Sequence, residues 1–237
     1  MKEIGVDKHG CCVIQRCCDY AQPSQSKMIV DCVVDNSLQF LNDSYGNYVI
    51  QYILELNGFR EEKEQIGKKV ATNIKDLCNY KFSSNVIEKC IKVELIDVSN
   101  ALFEILQEED TLADMLSHKF ANYVVQTLMI HNSESEKAQE LAKLIKKLAK
   151  SLKNDEIASK AIIKLSKTFD IGAVHQNRRN QNGGGSYNNG RGGNGNNGNG
   201  NGNNSRGGKR KRGGYNGGYK KKHIYTKRNG GEDNGQS

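Results

Sequence analysis

Apolar positions along the first 170 or so residues recur at helical rather than strand spacing. Val49, Ile50, Ile53 and Leu54 share one face of a helix, and Ile66, Val70, Ile74 and Leu77 keep the same rhythm, as do Leu102, Ile105, Leu106, Leu112, Met115 and Leu116. Four similar segments punctuate the pattern: His9-Gly-Cys-Cys-Val-Ile-Gln15, Tyr45-Gly-Asn-Tyr-Val-Ile-Gln51, Phe82-Ser-Ser-Asn-Val-Ile-Glu88 and Phe120-Ala-Asn-Tyr-Val-Val-Gln126. Their third residues, Cys11, Asn47, Ser84 and Asn122, stand 36, 37 and 38 residues apart, which is the period of a helical repeat.

Each segment predicts the start of a short helix: a small residue (Gly10, Gly46, Ser83, Ala121), two variable positions, a β-branched pair, then Gln or Glu. The small residue lets neighbouring backbones approach. A second helical stretch precedes the last three segments, beginning with Met28, Ile29, Cys32 and Val33 ahead of Asn47. Each unit is therefore expected to be a helical hairpin that buries its apolar stripe only by stacking on its neighbours. The expected fold is all-α, an α-solenoid over residues 1–170, with units at about 1–25, 26–60, 61–95 and 96–132. Leu141, Leu144, Ile145, Leu148 and Leu152, then Ile157, Ala161, Ile162 and Leu165, lack the signature and are expected to form capping helices over 133–170. Only ten residues precede Cys11, too few for a partner helix, so the chain is expected either to begin inside an array or to be a partial gene product.

Beyond about residue 170 the rhythm stops. Of the 25 Gly, 19 follow His175, and residues 171–237 are expected to be a disordered, basic, low-complexity tail that buries too little apolar surface to offset its ordering entropy. Charge divides at the same place. Residues 1–174 hold 22 Lys and Arg against 25 Asp and Glu, and the remainder 13 against 2, so the tail carries +11 and the rest −3, which gives the net +8. The repeat region would have to bind nucleic acid without a strong bulk field, and the tail could supply one. Three Arg-Gly-Gly motifs start at Arg191, Arg206 and Arg212, Lys209, Arg210, Lys211 and Arg212 form a cluster, and Tyr215, Tyr219 and Tyr225 interleave with the charges of the tail. These read either as auxiliary RNA contacts, the favoured reading, or as a solvating extension without a specific partner.

Several function classes find no support. There is no Gly-rich phosphate loop after a strand, no nucleophile–base arrangement and no metal spacing, so no enzyme, cofactor or small-molecule substrate is expected. The seven Cys contain no CxxC; Cys17, Cys18, Cys32, Cys78 and Cys90 are expected to be reduced core or helix-junction thiols, and the five His are dispersed. No run approaches 18 apolar residues, and Met1 is followed by Lys2 and Glu3 rather than an apolar core, so no spanning helix, secretory signal or membrane partner is expected. A cytoplasmic location is expected, with the Lys209–Arg212 cluster also resembling a nuclear-import signal.

The variable positions carry the chemistry. On a helix, positions i, i+1 and i+4 fall at 0°, about 100° and about 40°, one contiguous patch, while Val49, Ile50, Ile53 and Leu54 fall at roughly 200° to 340°. The patch in each segment is a triad: Cys11/Cys12/Gln15, Asn47/Tyr48/Gln51, Ser84/Asn85/Glu88 and Asn122/Tyr123/Gln126. An Asn/Gln pair offers donors and acceptors to the acceptor–donor–acceptor edge of uracil. Glu88, acceptor-only when ionised, suits guanine, the base with adjacent N1–H and N2–H donors. Tyr48 and Tyr123 offer rings for stacking, or are ordinary packing aromatics.

These residues and this period resemble the Pumilio family, in which each helical repeat reads one base of single-stranded RNA through two or three side chains. Gly-Asn-Tyr-Val-Ile-Gln at 46–51 and Ser-Asn-Val-Ile-Glu-Lys-Cys at 84–90 are similar to the sixth and seventh repeats of that family, so the resemblance makes the four segments repeats five to eight, over about residues 9–168. It implies that Asn with Gln reads U, Ser with Glu reads G and Cys with Gln reads A, the RNA running antiparallel to the repeats. The order then spells UGUA: Asn122 and Gln126 for the 5′ U, Ser84 and Glu88 for G, Asn47 and Gln51 for U, Cys11 and Gln15 for A. Cys12 departs from the Arg common at that position in the family, which weakens stacking there. The implied role is control of translation or stability of mRNA through sites in untranslated regions, with decay or repressor proteins as further partners. The competing expectation is a protein-binding scaffold of the armadillo or HEAT kind.

Overall fold

The structure, a computed structural model, describes residues 1–172. The tail residues singled out above, Arg191, Arg206, Lys209, Arg210, Lys211 and Arg212 among them, lie outside the described residues. Among those described, every regular element is helical: α1 (Lys2–Gly5), α2 (Gly10–Tyr20), α3 (Pro23–Asp35), α4 (Ser37–Leu41), α5 (Gly46–Glu55), α6 (Arg60–Thr72), α7 (Ile74–Leu77), α8 (Ser83–Lys92), α9 (Ile96–Ile105), α10 (Glu109–Ser117), α11 (Ala121–His131), α12 (Glu136–Leu148) and α13 (Glu156–Leu165). A 3-10 turn at Leu152–Asn154 leads into α13.

The helices form two layers. The helices that start at the signature segments stack in chain order, α2 on α5, α5 on α8 and α8 on α11, with α13 closing against α11. The outer layer runs α3 on α6, α6 on α9 and α9 on α12. Between the layers, one contiguous core runs from Cys11 and Ile14 to Phe169 and Ile171, through fully buried Ile50, Ile53, Ile66, Ile87, Ile91, Leu102, Leu112 and Leu116. Burying a side chain of this size contributes roughly 1.5–3 kcal/mol, and since each face meets the next unit, no unit holds its own core. This is the α-solenoid that the sequence predicts.

The phase of the unit differs from the expected one. A short helix leads into each signature helix and a longer outer helix follows it, so the repeating unit has three helices rather than the two of a hairpin. The expected boundary at 25/26 falls inside α3, and the one at 60/61 inside the first turn of α6. The expected hairpin stretches are themselves broken, at Asn73 between α6 and α7 and at residues 106–108 between α9 and α10. In the same way α12 is the outer helix of the fourth unit rather than a cap, because it packs on α9; capping falls to α13. The partner that α2 was expected to lack is α3.

The small residues do bring backbones together, and the backbone they meet belongs to the short lead-in helix. A Cβ added at Gly46 would lie 2.9 Å from the Cα of Phe40 in α4, and one at Gly10 would lie 2.1 Å from the carbonyl oxygen of Ile4 in α1. Ser83 uses the same proximity to donate from its hydroxyl to the Leu77 carbonyl at 2.5 Å. Close packing of the lead-in helix thus sets where each signature helix begins. After α5, Gly58 turns the chain with a φ of 79°, a conformation that costs little without a Cβ.

Candidate nucleic-acid interface

Three of the four signature helices start from a capped turn. The Asp7 carboxylate accepts from the backbone N–H groups of His9 and Gly10 at 2.9 and 2.8 Å, and Asp43 accepts from those of Tyr45 and Gly46 at 2.8 and 2.7 Å. His118 Nδ1 takes the same place before α11, at 3.3 and 3.2 Å from the N–H groups of Phe120 and Ala121. All three stand four residues before a triad's first member. The bonds from Gly10 and His9 hold the Asp7 carboxyl below its ordinary value. These capping residues were not singled out from sequence, although an Asp three residues ahead of the small residue is a readable signal.

The triads do not present all their members. Cys11, Asn47, Ser84 and Asn122 are buried, Asn47 to 1% exposure and Asn122 to 5%. The reason is a common hydrogen bond. Side chains lean toward the N-terminus of their helix, and these reach back to carbonyls of the turn before it; those of Asp43 and His118 also accept the backbone N–H of Asn47 and Asn122 at 3.3 Å. Asn47 donates to the Asp43 and Ser44 carbonyls at 2.8 and 3.0 Å, Asn122 to that of His118 at 2.6 Å, Ser84 to that of Lys81 at 3.3 Å, and the Cys11 thiol to that of Lys8 at 3.4 Å. Burial first, and the Cys12 thiol next, push the Cys11 thiol up to about 11, so it stays protonated at neutral pH as a donor.

With its amide nitrogen so used, Asn47 has only Oδ1 left, and Gln51 donates to it through Nε2 at 2.9 Å. Gln126 does the same to Asn122 at 2.8 Å. The first residue therefore fixes which end of the Gln amide faces outward. An amide held by one N–H keeps a carbonyl oxygen and a second N–H, an acceptor beside a donor, and uracil's N3–H and O4 are the matching pair.

The second members are the exposed ones. Tyr48 and Tyr123 stand at 55% and 53% exposure, and Cys12 and Asn85 are also exposed. Gln15, Gln51 and Glu88 are half-buried, while Gln126 is buried. Lys81 and Lys119, each three residues before a triad, lie over the rings of Phe82 and Phe120 with Nζ at 5.3 and 4.9 Å from the centroids, which places cations beside two of the triads.

Joints between units are clipped by ion pairs and hydrogen bonds. In the outer layer Lys27 of α3 meets the buried Glu62 of α6 at 2.7 Å, and Lys69 of α6 donates to the Val34 carbonyl at the end of α3 at 2.6 Å. The bond from Lys27 holds the Glu62 carboxyl below its ordinary value despite burial. Among the cysteines, Cys78 and Cys90 are buried and pushed up to about 12 by desolvation, whereas Cys17 is exposed, against the expectation of a core or junction thiol. Among the described residues no group of three or more His, Cys, Asp or Glu could hold a metal, and no helix is long and apolar enough to cross a membrane.

Three-helix units stacked in two layers, each with a triad at the start of its inner helix whose middle member is exposed, define a helical-repeat protein of the α-solenoid class. The Pumilio-family RNA binding repeat matches residues 1–34, 38–71, 73–94 and 113–143, and the chain belongs to the Pumilio family. That settles the repeat type against the armadillo or HEAT alternative. A Pumilio domain-containing protein of Schizosaccharomyces pombe is 38% identical over 165 residues, 70% of this chain and 24% of the relative. Pumilio homolog 12 of Arabidopsis thaliana is 30% identical over 164 residues, 69% of this chain and 27% of the homolog. Among solved structures, PUF-8 in complex with PBE-RNA matches with a TM-score of 0.62 at 26% identity, covering 70% of this chain and 49% of that one. The Puf4 RNA binding domain bound to the HO endonuclease RNA 3′ UTR recognition sequence matches with a TM-score of 0.60 at 29% identity, covering 68% and 52%. The chain thus spans about a quarter of the length of these curated relatives and about half of these solved chains.

Proposed function

We propose that this chain binds single-stranded RNA containing a 5′-UGUA-3′ core, one base per unit, and that it acts on mRNA to lower its translation or stability through other proteins that it recruits. The observation that carries the reading is the repeated Asn–Gln bond at Asn47/Gln51 and Asn122/Gln126, with Ser84/Glu88 in the unit between them. Two units share one hydrogen-bonding edge and the middle one substitutes a carboxylate, which is the chemistry of U, G, U. RNA-bound Pumilio-family proteins among the solved structures support the choice of ligand. In this reading Cys11 and Gln15 take the final A. The three Arg-Gly-Gly motifs and the Lys209–Arg212 cluster add sequence-independent phosphate contacts, and the chain works in the cytoplasm as a binding protein without catalysis.

Four units contributing a net of roughly 1.5–2 kcal/mol each give about 6–8 kcal/mol, a dissociation constant near micromolar or weaker. The test exchanges the carboxylate reader for an amide reader. In the double variant S84N/E88Q, preference should move from UGUA to UUUA; an unaltered preference for UGUA defeats the assignment. Removing residues 175–237 should weaken binding and flatten its salt dependence while leaving sequence preference in place.

A further inference from the structure

Reading helices are tied to one another through the residue five places after each triad's first member. Tyr52 donates to the Asp19 carboxylate of the preceding unit, and Lys89 to Glu55 of the unit before it. In both joints the acceptor stands eight places after the first triad member of its own unit. The third joint breaks this rule. Position eight of the third unit is Lys92, a cation, so Thr127 finds no carboxylate there. Its hydroxyl donates instead to Oε2 of Glu88 at 2.8 Å, and Lys92 Nζ stands 3.7 Å from the same oxygen.

Resting on the reading of Glu88 as the guanine-selecting carboxylate, we infer that Thr127 and Lys92 are positioning residues for guanine recognition. Neither needs to touch the base. A half-buried glutamate has three rotatable bonds to immobilise before its carboxylate can meet two N–H groups side by side. Holding one oxygen from the neighbouring helix fixes the plane of the fork. Each carboxylate oxygen has two acceptor sites, so Oε1 stays fully available and Oε2 keeps a site beside the Thr127 bond. The two oxygens then face N1–H and N2–H without first reorganising, and an adenine or uracil in that place confronts a fixed carboxylate that it cannot satisfy. Selectivity at the second base thereby depends on a residue of the unit that reads the first.

The experiment compares the 237-residue chain with T127V, T127S, K92Q and E88Q, measuring dissociation constants for short RNAs carrying UGUA or UAUA together with thermal unfolding. In T127V, which keeps the side-chain shape, the preference for G over A should fall about three- to tenfold, within the range that a typical net hydrogen bond spans. T127S, which restores the hydroxyl, should recover it, and K92Q should lower it by a smaller factor. A purely structural Thr127 would weaken UGUA and UAUA alike and leave their ratio fixed, and that result overturns the inference while E88Q still abolishes the preference. If E88Q itself leaves the ratio untouched, the base-reading assignment falls and this inference falls with it.

Discussion

Gln126 donates through its amide nitrogen to Asn122 Oδ1 at 2.8 Å, and both side chains are buried. Asn122 is in turn held at 2.6 Å from the His118 carbonyl, so the pair forms a short chain of bonds that begins in the capped turn. Removing Asn122 strands a buried amide, and an orphan of this kind costs about 1–3 kcal/mol. Asn122→Ala is expected to lower the free energy of unfolding by that amount, read from urea denaturation. It should also reduce the preference for U over C at the first base, because the freed Gln126 can turn either end outward. Unchanged stability would mean that the bond contributes nothing net.

Tyr48 and Tyr123 make the opposite case, since more than half of each side chain remains accessible and little packing is at stake. Stacking against a base is worth about 1–3 kcal/mol by alanine substitution. Tyr48→Ala and Tyr123→Ala should each weaken RNA binding by roughly fivefold to more than a hundredfold while moving the unfolding midpoint little. Loss of thermal stability without loss of affinity would identify them as packing aromatics.

The period, the helical class and the polar triads could all be read from the chain, because i, i+1, i+4 spacing and a 36-to-38-residue recurrence survive in the letters. The phase of the repeat could not. Only Ala21 and Gln22 separate α2 from α3, and only Asn36 separates α3 from α4, so α3 is nearly as close in sequence to the helix it follows as to the one it precedes. Apolar spacing says which face is buried and is silent on which neighbour buries it. The breaks at Asn73 and at residues 106–108 were hidden for a related reason: Ile66, Val70, Ile74 and Leu77 all face the core although they belong to two helices. Burial of Asn47, Ser84 and Asn122 was missed because a polar residue reads as solvated until its carbonyl partner is known. Thr127 and Lys92 escaped notice since each acts across or beside a joint that no local spacing reveals.

Acid should act through Glu62. Its carboxyl is held below the ordinary 4.5 by the bond from Lys27, and unfolding releases it to that value. A carboxyl depressed in the folded state contributes its stabilisation in full above the unfolded value and loses it as pH falls through the folded one. Glu62→Gln, which keeps the shape and discards the charge, should therefore be less stable than the parent at neutral pH. The gap should narrow as the buffer is taken from about pH 5 toward about pH 3. Urea midpoints across that range decide the matter, and parallel curves would remove Glu62 from the acid response.

Thiol chemistry offers a footprint of the first unit. The thiolate is the reactive form, and Cys11, Cys78 and Cys90 are buried with their thiols pushed up to about 11, 12 and 12, whereas Cys12 and Cys17 are exposed. Iodoacetamide at pH 7.5 should modify Cys12 and Cys17 in the native chain and reach Cys11, Cys78 and Cys90 only on unfolding. At 100° per residue Cys12 and Cys17 lie about 140° apart on α2, so a base seated against the triad of Cys11, Cys12 and Gln15 covers one and not the other. Saturating UGUA-containing RNA is expected to slow modification of Cys12 at least fivefold and to leave Cys17 within a factor of two, as resolved by mass spectrometry of the labelled peptides. The α2 peptide must be cut between the two thiols, and trypsin does so at Arg16. Equal protection of both thiols, or of neither, would place the final base somewhere other than on this helix.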